Sequence, residues 1–315
     1  MDIEKEIREY NPKITDSSLA TYTRQLKILK DKCDGDDEFE FLIEKDPEEV
    51  LDCVSKNPNT RKTYLVSIIT MLKILNAPDE LIDIYKDEQD QAIEEVKDFY
   101  KSGEKSEKQK ENWLEQEDLD KIVDLEKEEY FETANKNRGV LRPLKYLDMQ
   151  NYILLKLYSK YPLRNDLANT KLIYKSQWNK LGAKKQSTGN FLVINPKSAM
   201  LVLNKYKTAK TYGQKKIELP EDITELLNHF IKFRAKAGWN SEYLIQNKKQ
   251  EPMSGNGITK SFLRLFSKYD KKISTSMLRH IILTGKFGEI NEEKAKMADA
   301  IGNSPSTIDQ NYVKK

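Results

Sequence analysis

The chain has 315 residues, of which 38% are hydrophobic and 33% charged, with a formal net charge of +3. No apolar run approaches the ~20 residues that cross a bilayer, and two cysteines with two histidines, His229 and His280, fit no recognised zinc spacing. No membrane, metal or cofactor is therefore expected, and the charged start MDIEKEIREY is not a secretion signal, so Cys33 and Cys53 are expected to be reduced thiols inside a cell. The modest net charge hides a division. Residues 1–150 carry 24 basic and 38 acidic side chains, a balance of −14, whereas residues 151–315 carry 30 and 13, a balance of +17. Residues 151–200 hold nine basic side chains and one acid, Asp166. A one-signed folded stretch of this kind suits a polyanion, and nucleic acid is the natural candidate.

In chain order, SLATYTRQLKILKDK (18–32) repeats apolar residues at helical spacing behind Asp16 as cap, and TRKTYLVSIITMLKILN (60–76) does so behind Asn59. PEEVLDCVSK and PDELIDIYKDEQDQAIEEVKDFY supply two further helices, so residues 1–100 read as an all-helical unit. KSGEKSEKQKE (101–111) has no large apolar residue and the composition of a solvated linker. Residues 112–315 then form a second domain that is mainly α with a small antiparallel β-sheet, an α+β arrangement. WLEQEDLDKIVDLEK and LKYLDMQNYILLKLYSK read as helices, the stretch after Arg164 and Asp166 as a strand, and FLVIN, AMLVLNKYK and QKKIELP as short β-runs. The last two flank TAKTYG, a hairpin turn. EDITELLNHFIKFRAKAG, SMLRHIILTGKF and NEEKAKMADAIG are separate helices before the end.

Four local settings carry the chemistry. YPLRNDLANTKLI puts Arg164 at the end of an apolar helix, and YKTAKTYG puts Lys207 and Lys210 at a hairpin tip. SMLRHIILT puts Arg279 beside His280 inside an apolar helix, where a guanidinium must be paired or face a site. IGNSPSTIDQNY places Tyr312 on a short helix behind Gly302 as turn, Ser304 as cap and Pro305 at the first position. Each has a plainer alternative: an Arg164–Asp166 ion pair, solvated turn lysines, a packed His280, a surface tyrosine.

Order and motifs together resemble the tyrosine recombinase family, the phage-integrase-like enzymes that cut and rejoin DNA through a phosphotyrosine. The family's first arginine is matched by Arg164 in PLRNDLA, its hairpin lysine by Lys207 in YKTAK, and its LRH box by Leu278, Arg279 and His280. Its closing motif is matched by Ile301, Gly302, Asn303, Ser304, Thr307 and Tyr312, with the family's spacing of nine kept from Asn303 to Tyr312. The helices SLATYTRQLKIL and NTRKTYLVSIITMLKIL resemble those of the family's core-binding domain. Two positions depart from the pattern. Ser276 stands where the family usually has His or Lys, and Asn303 where it has His or Trp; neither takes up a proton near neutral pH.

The resemblance implies a site-specific DNA recombinase or integrase that closes as a C-shaped clamp on double-stranded DNA, assembles as a homotetramer on paired sites and works wherever its target DNA resides. Arg164 and Arg279 would hold the phosphate, Lys207 or alternatively Lys210 would protonate the leaving oxygen, and Tyr312 would be the nucleophile, with Asn303, Ser276 and His280 completing the site. A phosphodiester's charge deters nucleophiles, so fixed guanidinium donors at its non-bridging oxygens are worth several kcal/mol in the transition state. A phenol, with an ordinary pKa of about 10, needs nearby cations to react near neutral pH. The phosphotyrosine conserves the bond energy, so neither ATP nor metal is required. Two alternatives stay open: a type IB topoisomerase, and a DNA-binding protein of the same fold whose catalysis has decayed.

Overall fold

The computed structural model describes residues 1–137 and 139–313. They divide into two units, one spanning Met1–Lys105 and the other beginning at Ser106.

The first unit is helical throughout. α1 (Ile3–Tyr10) starts behind Asp2, whose carboxylate accepts from the Lys5 N–H. α2 (Asp16–Lys32) is capped by Thr15, one residue ahead of the expected Asp16, because the threonine hydroxyl reaches the Ser18 N–H while the aspartate takes the first helical position. Short α3 (Phe41–Glu44) and α4 (Pro47–Cys53) lead to α5 (Pro58–Ile74). Its cap is Asn57, not Asn59: Asn57 accepts from the Thr60 N–H and leaves Pro58, which has no N–H to lose, at the first position. α6 (Asp79–Ser102) closes the unit, stopping at Gly103 in the left-handed region. Leu26, Leu29, Leu65, Ile68, Met71, Leu72 and Tyr85 are buried together, and Ser67 donates to Gln25 at 2.9 Å inside this core. Truncating any of these leucines to alanine would cost about 2–5 kcal/mol.

In the second unit, much of the expected linker is structured. α7 (Glu107–Asn112) is closed by a capping box between Ser106 and Gln109, and Asn112 is buried, accepting from the Lys272 N–H at 2.6 Å. α8 (Gln116–Lys136) and α9 (Pro143–Lys160) follow. α9 is buried at almost every position from Met149 to Tyr158, which makes it the central helix of the unit. A single 3₁₀ turn, Asn165–Leu167, joins it to β1 (Lys171–Tyr174), followed by the one-turn helices α10 (Lys175–Trp178) and α11 (Ala183–Gln186). β2 (Phe191–Ile194), β3 (Ala199–Leu203) and β4 (Lys215–Leu219) complete a sheet of order β1-β2-β3-β4. β2, β3 and β4 pair antiparallel as expected, and β1 joins β2 in parallel, so the sheet is mixed. Both its faces are covered. Leu192, Ile194, Ala199 and Leu201 enter the main core, while Phe191, Val193 and Val202 pack with Trp178 on the other side.

The β3–β4 connection is no tight hairpin. Residues 204–214 include a further one-turn helix, α12 (Ala209–Tyr212), and Gly213 at φ 65°. α13 (Glu221–Lys236) and α14 (Gly255–Ser267) pack on α9. α15 runs unbroken from Thr275 to Ala300 where two helices were expected. Gly285 and Gly288 were the sole interruption signals; each costs about 1 kcal/mol relative to alanine, too little to break a helix that contains no proline. Gly285 also has a packing reason, since a Cβ there would lie 2.9 Å from the Gln116 Oε1 on α8. The described chain ends with α16 (Pro305–Thr307) and a π-helical turn, Ile308–Tyr312. The fold is mainly α with a small sheet, an α+β protein.

Candidate active site

The end of α9 runs into an irregular turn, whose carbonyls lie beyond the helix and must find donors elsewhere. Tyr158 donates its hydroxyl to the Arg164 carbonyl at 2.6 Å. From α15, Arg279 donates through Nε to the Pro162 carbonyl at 3.0 Å and through Nη2 to the Leu163 carbonyl at 2.9 Å. Arg279 thus staples the turn that presents Arg164. The Arg164 N–H donates to Asp166 Oδ2 at 3.2 Å, but the exposed Arg164 guanidinium has no hydrogen bond or ion pair among the described residues. Burial pushes the Arg279 pKa down, and the positive charge of Arg164 pushes it further. Burial likewise raises Asp166, against the opposing pull of Arg164, Arg279 and Lys215. Three cations therefore share one partly buried carboxylate, and the surplus favours an anion.

A buried amide links this turn to the loop of lysines. Asn190 donates to the carbonyls of Asp166 (2.7 Å) and Lys205 (2.8 Å) and accepts from the N–H groups of Asn204 and Lys205. Asn204 in turn donates to the carbonyls of Gln186 and Gly189. Beyond this anchor, Lys207 and Lys210 are exposed, and no contact places either at the arginines. Lys215, at the start of β4, lies over the rings of Tyr206 (5.1 Å) and Tyr212 (5.2 Å) and is the lysine whose charge reaches Asp166. Neither Asn190 nor Lys215 was singled out in the sequence. Lys215 heads the run KKIEL, where it reads as one of two ordinary strand lysines, and Asn190 before FLVI reads as a loop residue.

Ser276 and His280, one turn apart on α15, share a face next to Arg279's and line a cavity of about 710 Å³ with Thr259, Leu263 and Lys272. Asn165, the neighbour of Arg164, donates to the Thr259 hydroxyl at 3.2 Å, which ties this cavity wall to the arginine turn. His229, in contrast, is a packed residue: its Nδ1 lies 2.9 Å from the Tyr130 hydroxyl.

The C-terminal residues lie elsewhere. α15 stops in a paired turn, with Gly302 at φ 66° donating to the Asp299 carbonyl and Asn303 donating to the Ala298 carbonyl at 2.8 Å. Ser304 then caps the next turn through the Thr307 N–H, with Pro305 at its first position, as expected. The chain folds back so that Ile308 is buried and Asp309 accepts from Lys294 at 2.9 and 2.8 Å. Lys294 is fifteen residues beyond Arg279, about 22 Å along a straight helix. Tyr312, 63% exposed, and Asn303 are therefore held at the far half of α15. The structure sets Arg279 on the turn that carries Arg164 and Asp166, with Lys215 within reach of Asp166 by its charge, places Ser276 and His280 next door, and keeps Asn303 and Tyr312 apart from both groups.

Among the described residues no helix is long and apolar enough to cross a membrane, and no cluster of His, Cys, Asp or Glu converges as a metal site would. No protein-family model matches the sequence, and no curated protein matches it. Among solved structures the chain is similar to XerA recombinase, with 11% identity, coverage of 91% of this chain and 84% of that one, and a TM-score of 0.34. At that score and identity the likeness assigns no role to any residue here.

Proposed function

We propose that the chain cleaves and rejoins double-stranded DNA through a covalent 3′-phosphotyrosyl intermediate, as a site-specific recombinase or integrase. The observation that carries this is the Arg164–Arg279 pair: one guanidinium without a partner among the described residues beside a second that is half committed, within residues 151–315, whose balance is +17. A phosphodiester supplies the missing anion, and its non-bridging oxygens match the planar fork of an arginine. In the reaction the Tyr312 oxygen attacks phosphorus, the bond to the 5′-oxygen breaks, and the phenol proton passes to solvent or a nearby base. The leaving oxygen takes a proton from a lysine of the β3–β4 loop, and rejoining reverses each step. Lys207 is the candidate by motif, with Lys210 the alternative; Lys215 is the one whose charge is felt at the arginine turn. Ser276, His280 and Asn303 act as hydrogen-bonding neighbours of the phosphate or of the phenol.

The test is a nicked duplex whose cleavage releases a short fragment and so traps the intermediate. Wild-type protein should form an SDS-resistant adduct and Tyr312→Phe should form none while binding the same duplex. The remoteness of Tyr312 favours a second reading, a DNA-binding protein without catalysis, and a wild-type protein that binds but never forms the adduct would establish it.

A further inference from the structure

A second cavity, of about 300 Å³, lies where α14 faces α9, on another side of α14 than Thr259 and Leu263. Leu147, Pro252 and Met253 give it an apolar wall. Asn151 of α9 lines it too, although it is only 3% exposed, and among the described residues its Oδ1 accepts no hydrogen bond and its Nδ2 donates none. Buried amides are ordinarily paired, so an unpaired one facing a cavity is a place for a ligand edge. The same space is cationic. Lys248, in the loop before α14, and Lys260, on α14, are exposed and have no hydrogen bond or ion pair among the described residues, whereas Arg264 is held by Asp148 at 2.8 Å. Among the described residues no acid lines the cavity. Ser254 caps α14 by accepting from the Gly257 N–H, which leaves the N–H groups of Gly255 and Asn256 unpaired at the positive end of a 13-residue helix. A Cβ at Gly257 would lie 2.7 Å from the Met253 Cγ, so glycine there lets this first turn close on the cavity wall.

We propose that this cavity binds a free adenine mononucleotide, with the base against Asn151 and the phosphate at Lys248, Lys260 and the first turn of α14. Each part of the ligand answers one feature of the wall. A planar base fits between apolar side chains, and its edge meets the amide: the Asn151 Oδ1 accepts from the adenine N6 amine while its Nδ2 donates to N7. Guanine offers two acceptors on that edge and would set its O6 against the Asn151 Oδ1. The phosphate supplies the anion that two unpaired lysines and a helix N-terminus lack. A cavity of this size lies at the small end of ligand sites, which suits a mononucleotide. The site is separate from the Arg164–Arg279 pair, and the proposal does not depend on the cleavage reading.

The test is calorimetric titration of the full-length chain, without DNA, by adenosine 5′-monophosphate, guanosine 5′-monophosphate, adenosine and inorganic phosphate. Adenosine monophosphate should bind one to one with a Kd below about 1 mM, and the guanine nucleotide about tenfold more weakly. Lys260→Gln, an exposed change that leaves the fold intact, should weaken adenosine monophosphate about fivefold at low salt and leave adenosine unaffected. Asn151→Leu replaces an unpaired buried amide by an apolar side chain of similar size, so it should keep the thermal midpoint of the free protein while removing the preference for adenine over guanine. Arg164→Ala should bind the nucleotide as wild type does. Absence of binding by adenosine monophosphate would overturn the proposal, as would affinity indifferent to both Lys260→Gln and Asn151→Leu. Loss of binding in Arg164→Ala would place the nucleotide at the arginine turn and overturn it equally.

Discussion

Lys294 holds Asp309 through both carboxylate oxygens, at 2.9 and 2.8 Å, and so ties the C-terminal turn to the far half of α15. Together with the buried Ile308, this ion pair sets where Tyr312 stands. The pair is partly exposed, so its loss should cost no more than about 1 kcal/mol of global stability. Its local effect should be larger. Asp309→Asn should leave the thermal midpoint almost unchanged, speed amide exchange in residues 303–313, and reduce adduct formation because the phenol is no longer held in one place. Unchanged exchange in that segment would show that Ile308 alone holds the turn.

The two arginines should separate by what they do to folding. Arg279 satisfies the carbonyls of Pro162 and Leu163, so Arg279→Ala should destabilise the protein by about 1–3 kcal/mol as well as abolish cleavage. Arg164→Ala should abolish cleavage with the urea midpoint unmoved, because its side chain has no bond to lose among the described residues. A large stability loss for Arg164→Ala would return it to the plainer role of a surface ion pair with Asp166.

That contrast also shows what could be read from the residues alone. The β-runs FLVI, AMLVL and KKIEL were legible as short runs rich in β-formers, and the α5 face from its apolar period. The caps were displaced by one and two residues, because Thr15 and Asn57 compete with equally good neighbours and only the geometry of the first turn decides. α15 was split because two glycines read as a break, although the approach of Gln116 at Gly285 explains one of them. Arg164 and Arg279 could be picked by residue type and setting, but Asn190 could not: its value lies in four bonds to segments distant in sequence. Nor could Lys215, whose position at the sheet end comes from its pairing with Leu203 across β3 and β4.

The proton donor can be found among the loop lysines with a substrate that carries sulfur in place of the bridging 5′-oxygen. A thiolate leaves without protonation, so the variant lacking the donor should be slow on ordinary DNA and recover on the sulfur substrate, whereas Arg164→Ala should not recover. Lys207→Ala is expected to show the rescue. Rescue of Lys215→Ala or Lys210→Ala instead would move the assignment within the loop, and rescue of none would place the donor outside it.

Asp166 should make the fold slightly more stable in acid than at neutral pH at this one position. Burial raises its pKa in the folded chain, so the folded state binds a proton more readily than the unfolded one. That contribution is full below the ordinary carboxylate pKa and is lost as pH rises through the higher folded value. Asp166→Asn, which keeps an acceptor for the Arg164 N–H, should flatten this part of the stability profile. Urea midpoints compared across that range should therefore converge in acid and favour the asparagine variant at neutral pH; a variant less stable at neutral pH would mean that the carboxylate's attraction to Arg164, Arg279 and Lys215 outweighs its burial.

The most direct measurement of the central claim is the identity of the residue that carries the DNA. Wild-type protein trapped on the nicked duplex, digested with trypsin and nuclease and examined by mass spectrometry, should yield the peptide 297–314 heavier by a nucleotide, with the added mass on Tyr312. A nucleotide found on any other of the 16 tyrosines, or on no tyrosine while the adduct persists, would contradict the account.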